Sequence, residues 1–235
     1  MQYKKYVFVG DSWALRGFTN DNFMHNAQIM PDDVRLADYI GLPYQHCIAG
    51  GQSNLFLLNK LIEMNLPVDQ PILWIYTEPG RDYNNITGKP EFEWIESENI
   101  FEIRKMLDQA ILQEIKNKLP NPVAFVGGLS DVNISLATKL GFTVLHDSWQ
   151  SWIANTLKSQ WFKLGWGAAD IGWRFHSNNV KPSKTALFEW DTQIKEWCWW
   201  EEQGYFCHEH PTPRANKEFA ESLTPKLKDW LSKLQ

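Results

Sequence analysis

The order of apolar and polar positions predicts five short strands, each of which ends at glycine or at polar residues. A continuous run of β-branched and aromatic residues that stops at a turn signal is typical of a strand buried on both faces. The third of these runs is the most hydrophobic. The predicted strands are 5–10, 44–51, 71–78, 122–128 and 142–148.

Segments with helical spacing lie between and after these strands. The clearest is 97–120, in which apolar residues recur every three or four positions from Ile100 to Ile115 and Pro120 ends the pattern. The last helix starts at Pro213 and is expected to break at Thr224-Pro225, where the threonine would cap a second segment. Shorter helices are predicted over 33–40 and 54–65.

Strands that alternate with helices predict a parallel sheet with helices on both faces, so we expect one three-layer α/β/α domain over 1–235. The segment at about 149–205 interrupts this order as an insertion before the last helix. Nine of the 13 tryptophans lie between Trp149 and Trp200. We favour the core of an added subdomain for them, with a sugar-stacking surface or an oligomer interface as alternatives.

Composition and charge narrow the functional classes. The net charge is -5 without a basic block, which argues against a nucleic-acid partner. No apolar stretch approaches the roughly 18 residues of a membrane helix, and the start of the chain does not resemble a signal peptide. Three scattered cysteines predict reduced thiols. We therefore expect a cytoplasmic protein without a membrane partner, although a virus-particle protein would have the same composition.

The tripeptide Asp-Ser-Trp occurs twice after a predicted strand, so either Ser12 or Ser148 is a candidate nucleophile. A serine hydroxyl needs a base to take its proton and donors for the oxyanion that forms. Ser12 follows Gly10-Asp11 at the end of the first strand, and His210 lies just before the last helix, where Pro211 and Pro213 would stiffen the loop. Ser148 is interpreted instead as a cap between strand and helix.

Three motifs together resemble the SGNH (GDSL-type) hydrolases. They are Gly-Asp-Ser at residues 10–12, Gly-x-Ser-Asn at residues 51–54 and His-Pro at residues 210–211. The resemblance spans residues 5 to about 225 apart from the insertion. It implies a flavodoxin-like sheet and a serine esterase that needs no cofactor or metal. It also implies Ser12 as nucleophile, His210 as general base, and the N–H groups of Ser12 and Gly51 as oxyanion donors.

The implied substrates are short acyl esters, including acetyl groups on carbohydrate. Polar residues at the predicted strand ends would border the bound substrate. The candidates for this role are Asp11, Asn54, Thr77 and Glu78.

The chain departs from the family pattern at the third motif, which usually supplies an oxyanion asparagine. Here the third strand ends in Thr77 and Glu78. The alternative side-chain donors are Thr77, Asn54, Asn84 and Asn85. Helix N-capping is the structural alternative for Asn54, and pairing with Arg81 is the alternative for Glu78. Arg81 and Asp82 are expected to form a local ion pair.

The second departure is the acid of the catalytic triad, because Cys207 stands three residues before His210 where the family has aspartate. A backbone carbonyl, Glu209 or Asp147 could orient the imidazole, and a Ser-His dyad is the simplest interpretation. His208 and His210 could also ligate a metal, but no third ligand is evident at a recognisable spacing, so we predict none. These two departures keep a non-catalytic binding or structural protein as the rival hypothesis, for example a virus-encoded glycan-binding or particle accessory protein.

Overall fold

A computed structural model describes residues 4–11, 14, 34–159, 181–207 and 210–234 of the chain. Its centre is a five-stranded sheet with the spatial order β2-β1-β3-β4-β5. All neighbouring strands are parallel. This is the order of a flavodoxin-like sheet and confirms the predicted three-layer fold. The strands are β1 (Tyr6–Gly10), β2 (Tyr44–Ile48), β3 (Ile72–Tyr76), β4 (Val123–Gly127) and β5 (Thr143–His146).

Helices cover both faces of the sheet. Before the insertion the structure has α1 (Leu36–Ile40), α2 (Asn54–Glu63), α3 (Tyr83–Thr87), α4 (Glu91–Ile95), α5 (Ile100–Lys118) and α6 (Ile134–Lys139). After β5 come α7 (Trp149–Leu157), α8 (Lys184–Glu202) and α9 (Pro213–Ser232). A 3-10 turn (Pro79–Asp82) follows β3, and a short hairpin of β6 (Phe206–Cys207) and β7 (His210–Pro211) precedes α9.

The sheet divides the core into two hydrophobic layers because successive side chains of a strand point to opposite faces. Along β1, Tyr6 and Phe8 enter one layer and Val7 and Val9 enter the other. The first layer is closed by α1, α7, α8 and α9, and the second by α2, α4, α5 and α6. Every residue of β1, β3 and β4 is buried. Because both faces of these strands are covered, their sequences are continuous apolar runs.

The tryptophans described in the insertion belong to the first core layer. Trp149, Trp197 and Trp200 are buried there, and Trp152 and Trp199 pack against them. The core interpretation is therefore confirmed for these five. They extend the layer that contains the β-strand side chains instead of forming the core of a separate subdomain. Trp161, Trp166 and Trp173 lie outside the described residues.

The predicted break in the last helix is wrong, because α9 continues through Pro225 to Ser232. Leu223 and Leu227 are buried on either side of the proline, whereas Pro225 itself faces solvent. Packing of the apolar face therefore offsets the missing N–H. The hydroxyl of Thr224 donates to the carbonyl oxygen of Ala220, one turn back, and starts no new segment.

None of the helices that the structure describes has the length and apolar content needed to cross a membrane.

Candidate functional site

The carboxyl ends of β1 and β3 meet at the point where the strand order reverses, which is the usual ligand position in an open parallel sheet. Asp11 follows β1, and Thr77 and Glu78 follow β3. All three side chains are buried. The sequence prediction placed these residues at strand ends, and the structure brings them into direct contact.

The hydroxyl of Thr77 joins the two carboxyl groups. Its oxygen lies 2.7 Å from Oδ2 of Asp11 and 2.9 Å from Oε2 of Glu78. Arg81 completes the group, with Nε 2.6 Å from Oε2 of Glu78 and Nη2 3.6 Å from Oδ2 of Asp11. Burial alone would raise the pKa of Glu78. The attraction of Arg81 and the hydrogen bonds to Glu78 outweigh burial and lower that pKa, so the carboxylate is ionised.

The expected ion pair between Arg81 and Asp82 is wrong, because the two side chains point to different partners. Arg81 pairs with Glu78, which confirms the structural alternative for that residue. Asp82 instead accepts hydrogen bonds from the backbone N–H groups of Asn54 and Leu55 at the start of α2. A helix N-terminus favours a carboxylate in this position. Burial nevertheless raises the pKa of Asp82.

Asn54 ties α2 to the end of β3 by two hydrogen bonds. Its Nδ2 donates to the carbonyl oxygen of Thr77 at 2.9 Å, and its Oδ1 accepts from the N–H of Thr77 at 3.1 Å. The N-cap of α2 is Ser53, whose hydroxyl accepts from the N–H of Phe56, so the capping alternative for Asn54 is wrong. Asn54 and Thr77 thus use their side-chain groups to fix the strand end.

Gly51 lies in the turn between β2 and α2 with a φ of 70°. This left-handed conformation favours glycine, since a side chain there would be strained. A Cβ placed on Gly51 would lie 3.9 Å from Nη1 of Arg81. The guanidinium group is therefore next to this turn.

The two other side chains proposed as oxyanion donors, Asn84 and Asn85, are exposed on α3. The side chain of Asn85 hydrogen-bonds to Asp82.

Ser148 is the N-cap of α7, as the sequence predicted. Its buried hydroxyl oxygen accepts from the N–H of Ser151 at 3.0 Å and donates its own hydrogen to Oδ1 of Asp131. The hydroxyl of Ser151 donates to the same carboxyl oxygen at 2.8 Å. Burial raises the pKa of Asp131 despite these hydrogen bonds.

A cleft of about 350 Å³ opens beside Asp131 at the carboxyl ends of β4 and β5. Asp147, which also lines it, pairs with His146 across 2.8 Å between Oδ1 and Nδ1. The hydrogen bond from His146 lowers the pKa of Asp147. Asp147 was one of the groups considered for orienting the imidazole of His210. In that role its carboxylate would be shared with His146.

A buried cluster at the wall of this cleft, centred on Asp108, was not predicted from the sequence. Asp108 accepts from the hydroxyl of Tyr76 at 2.8 Å and pairs with Nε of Arg104 at 3.5 Å. Arg104 also donates to the carbonyl oxygen of Asp131. Burial raises the pKa of Asp108. The signal was present in α5, since Arg104 and Asp108 fall on the face that also carries Leu107 and Ile111 toward the core.

His210 lies in β7, directly opposite Cys207 in the hairpin. Thr212 then caps α9 by accepting from the N–H of Ala215. Further along this helix, the ring of Phe219 lies 5.5 Å from the ring of His146, the last residue of β5. Phe219, in the second turn of α9, is therefore at the carboxyl edge of the sheet, next to the end of β5.

Several predicted site residues are outside the part of the chain that the structure describes. These are Ser12, His208 and Glu209. Among the described residues, no three His, Cys, Asp or Glu side chains are grouped so that they could hold a metal ion.

Comparisons with protein-family models, with curated proteins and with solved structures found no match.

Proposed function

We propose that this protein is a serine esterase that hydrolyses short acyl esters through an acyl-enzyme on Ser12, with His210 as general base. One observation carries the proposal. Asp11, the residue before Ser12, is fixed at the carboxyl end of β1 by Thr77 and Arg81, and α9, which follows the hairpin of His210, contacts the carboxyl end of β5 through Phe219. Nucleophile and base would thus approach one ligand position from two elements.

The proposed reaction begins when the oxygen of Ser12 attacks the ester carbonyl carbon while His210 takes the hydroxyl proton. The N–H groups of Ser12 and Gly51 stabilise the negative oxygen of the tetrahedral intermediate. Collapse of the intermediate breaks the bond to the alcohol, which leaves with the proton from His210. Water, deprotonated by His210, then attacks the acyl-enzyme and releases the carboxylic acid and free Ser12.

The substrate class follows from the resemblance to SGNH hydrolases and includes acetyl esters of carbohydrates. The proposal requires no cofactor. We place the enzyme in the cytoplasm, where the free thiols of Cys47, Cys198 and Cys207 would stay reduced.

The second candidate is a non-catalytic binding or structural protein of the same fold, for example one that binds a glycan or accompanies a virus particle. One observation favours it. Asn54 and Thr77, two of the side chains considered as oxyanion donors, hydrogen-bond to each other or to buried carboxyl groups. In a non-catalytic protein, these polar groups at the strand ends would only stabilise the fold.

Labelling with a fluorophosphonate probe, followed by peptide mass spectrometry, separates the two candidates. For an esterase we expect an adduct on Ser12 in the wild type, loss of labelling in Ser12→Ala, and a rate at least about 100-fold lower in His210→Ala. Ser148→Ala is the matched control from the second Asp-Ser-Trp. It removes a helix cap, at a cost of about 1 kcal/mol, and leaves labelling unchanged. An unlabelled but folded wild type would favour the non-catalytic candidate.

A further inference from the structure

We infer that Arg81 supplies the side-chain donor of the oxyanion hole, in place of the asparagine of the third motif. This inference rests on the proposed esterase function and adds a catalytic residue to it. The sequence predicted for Arg81 only local pairing with Asp82 or Glu78, whereas its three-dimensional surroundings give it a different role.

The position of the guanidinium group is the first argument. Its Nη2 lies 3.6 Å from the carboxylate of Asp11, which precedes the proposed nucleophile. Its Nη1 lies 3.9 Å from where a Cβ on Gly51 would be, and Gly51 is the proposed backbone donor. Arg81 is thus between the two segments that would surround the oxygen of the tetrahedral intermediate.

The rigidity of Arg81 is the second argument. Nε is bound to Glu78 at 2.6 Å, and only 12% of the side chain is exposed. An oxyanion donor is effective when it is already oriented before the reaction and lies where water is largely excluded. Glu78 supplies this orientation, because it holds one edge of the planar guanidinium group while the Nη atoms lie next to Asp11 and Gly51.

Three of the four side-chain candidates from the sequence hydrogen-bond elsewhere, and the fourth, Asn84, is exposed on α3. Asn54 uses both ends of its amide on the backbone of Thr77, and the hydroxyl of Thr77 contacts the two carboxyl groups. Asn85 hydrogen-bonds to Asp82. Arg81 is the candidate that faces both Asp11 and Gly51.

The test compares Arg81→Gln with Glu78→Gln, which break the same ion pair from opposite sides. We would measure kcat and KM with p-nitrophenyl acetate, the rate of Ser12 labelling by a fluorophosphonate, and the Tm of each variant. If Arg81 contacts the oxyanion, Arg81→Gln lowers kcat about 100- to 1,000-fold with a much smaller change in KM. Glu78→Gln retains the guanidinium group and an amide oxygen that can still accept from Nε, so its kcat falls far less. Arg81→Lys, which keeps the charge but not the planar fork, falls between them.

Two outcomes would overturn the inference while leaving the esterase intact. One is a wild-type labelling rate in a folded Arg81→Gln protein. The other is an equal loss of kcat in Arg81→Gln and Glu78→Gln, which is expected if the ion pair only stabilises the fold. A wild type that neither hydrolyses the ester nor labels at Ser12 would instead refute the esterase, and the role of Arg81 with it.

Discussion

Asp131 illustrates how a carboxyl group is kept at the edge of this sheet. Two serine hydroxyls donate to its Oδ1, while the residue as a whole is almost completely buried. Burial disfavours the ionised form more than these hydrogen bonds favour it, so the pKa rises above the ordinary value of 3.8. Asp147 in the same cleft has the opposite shift, because His146 donates to it.

The sign of these shifts gives a prediction for Asp131→Asn. A carboxyl group with a raised folded-state pKa contributes stability below its unfolded pKa and loses that contribution as pH rises through the folded pKa. Asparagine keeps an acceptor for the two serines and does not ionise. The Tm of Asp131→Asn minus that of the wild type should therefore become more positive as pH increases from about 3.5 to 5.5. Thermal unfolding followed by circular dichroism measures this difference.

Asp147→Asn is the matched control from the same cleft. The pKa of Asp147 is lowered, so its contribution to stability is present above its unfolded pKa and is lost as pH falls through the folded one. The Tm difference of this variant should become more negative as pH rises toward the unfolded pKa of about 4 and should then change little up to about 5.5. Parallel trends in the two variants would contradict the assigned shifts.

Single residues show where sequence reasoning succeeds and where it fails. The cap at Ser148 could be predicted because capping depends on residues within one turn. The pair of Arg81 with Glu78 was predicted because it too is local, but its contact with Asp11 could not be, since Asp11 is brought close only when β1 and β3 pair. Asn54 likewise binds the end of β3 and leaves the cap to Ser53. Contacts that join different strand ends require the sheet order.

The strands and the helices α1, α2 and α5 were predictable because their apolar pattern is local. All five strands of the sheet and α5 lie within the predicted ranges, whereas no range was predicted for α3, α4 or α8. Among the predicted helices the exception is α9, where the proline rule was applied without knowing which side of the helix faces the core. The buried residues of this helix continue from Phe219 through Leu223 and Leu227 to Leu231, and Pro225 falls outside that row.

The uninterrupted helix predicts that Pro225→Ala stabilises the protein. Alanine supplies the missing backbone N–H and removes the clash of the proline ring with the preceding turn. Together these two changes stabilise a helix interior by up to about 3 kcal/mol. The greater freedom of the unfolded chain offsets about 0.4–1 kcal/mol of this gain. We expect a net increase in unfolding free energy of about 1–2 kcal/mol from urea denaturation. Unchanged or lower stability would mean that α9 accommodates the proline without strain.

A comparable substitution in the same helix provides the reference. Lys228→Ala is in the following turn and replaces a residue whose N–H is already present. A surface change of this kind alters stability by about 0.5 kcal/mol or less. The difference between the two variants isolates the effect of the proline.

At the scale of the whole molecule, aromatic packing connects the tryptophan-rich helix α8 to the hairpin that carries the candidate base, His210. Trp200 lies edge-on to Phe206 with ring centroids 5.6 Å apart, and the ring of Trp197 is 5.5 Å from the same phenylalanine. Phe206 pairs with Pro211 in the hairpin, one position from His210. The core layer that contains the sheet thus extends through α8 to the segment that carries the histidine.

This connection predicts that Trp200→Ala lowers both stability and reactivity. Removal of a fully buried indole costs about 3–5 kcal/mol, because apolar contact is lost and a cavity remains. The hairpin also loses its support, so the labelling rate of Ser12 should fall in the fraction that stays folded. Urea unfolding followed by circular dichroism measures the first effect, and fluorophosphonate labelling below the unfolding transition measures the second.

Phe188→Ala is the control within the same helix, since that side chain is 69% exposed. Its stability should differ from that of the wild type by no more than about 0.5 kcal/mol, and its labelling rate should not change. If Trp200→Ala behaved like Phe188→Ala, the tryptophans would not support the hairpin, and a surface role such as sugar stacking would become the better explanation for them. If only Trp200→Ala is destabilised and poorly labelled, the insertion is part of the core that positions His210.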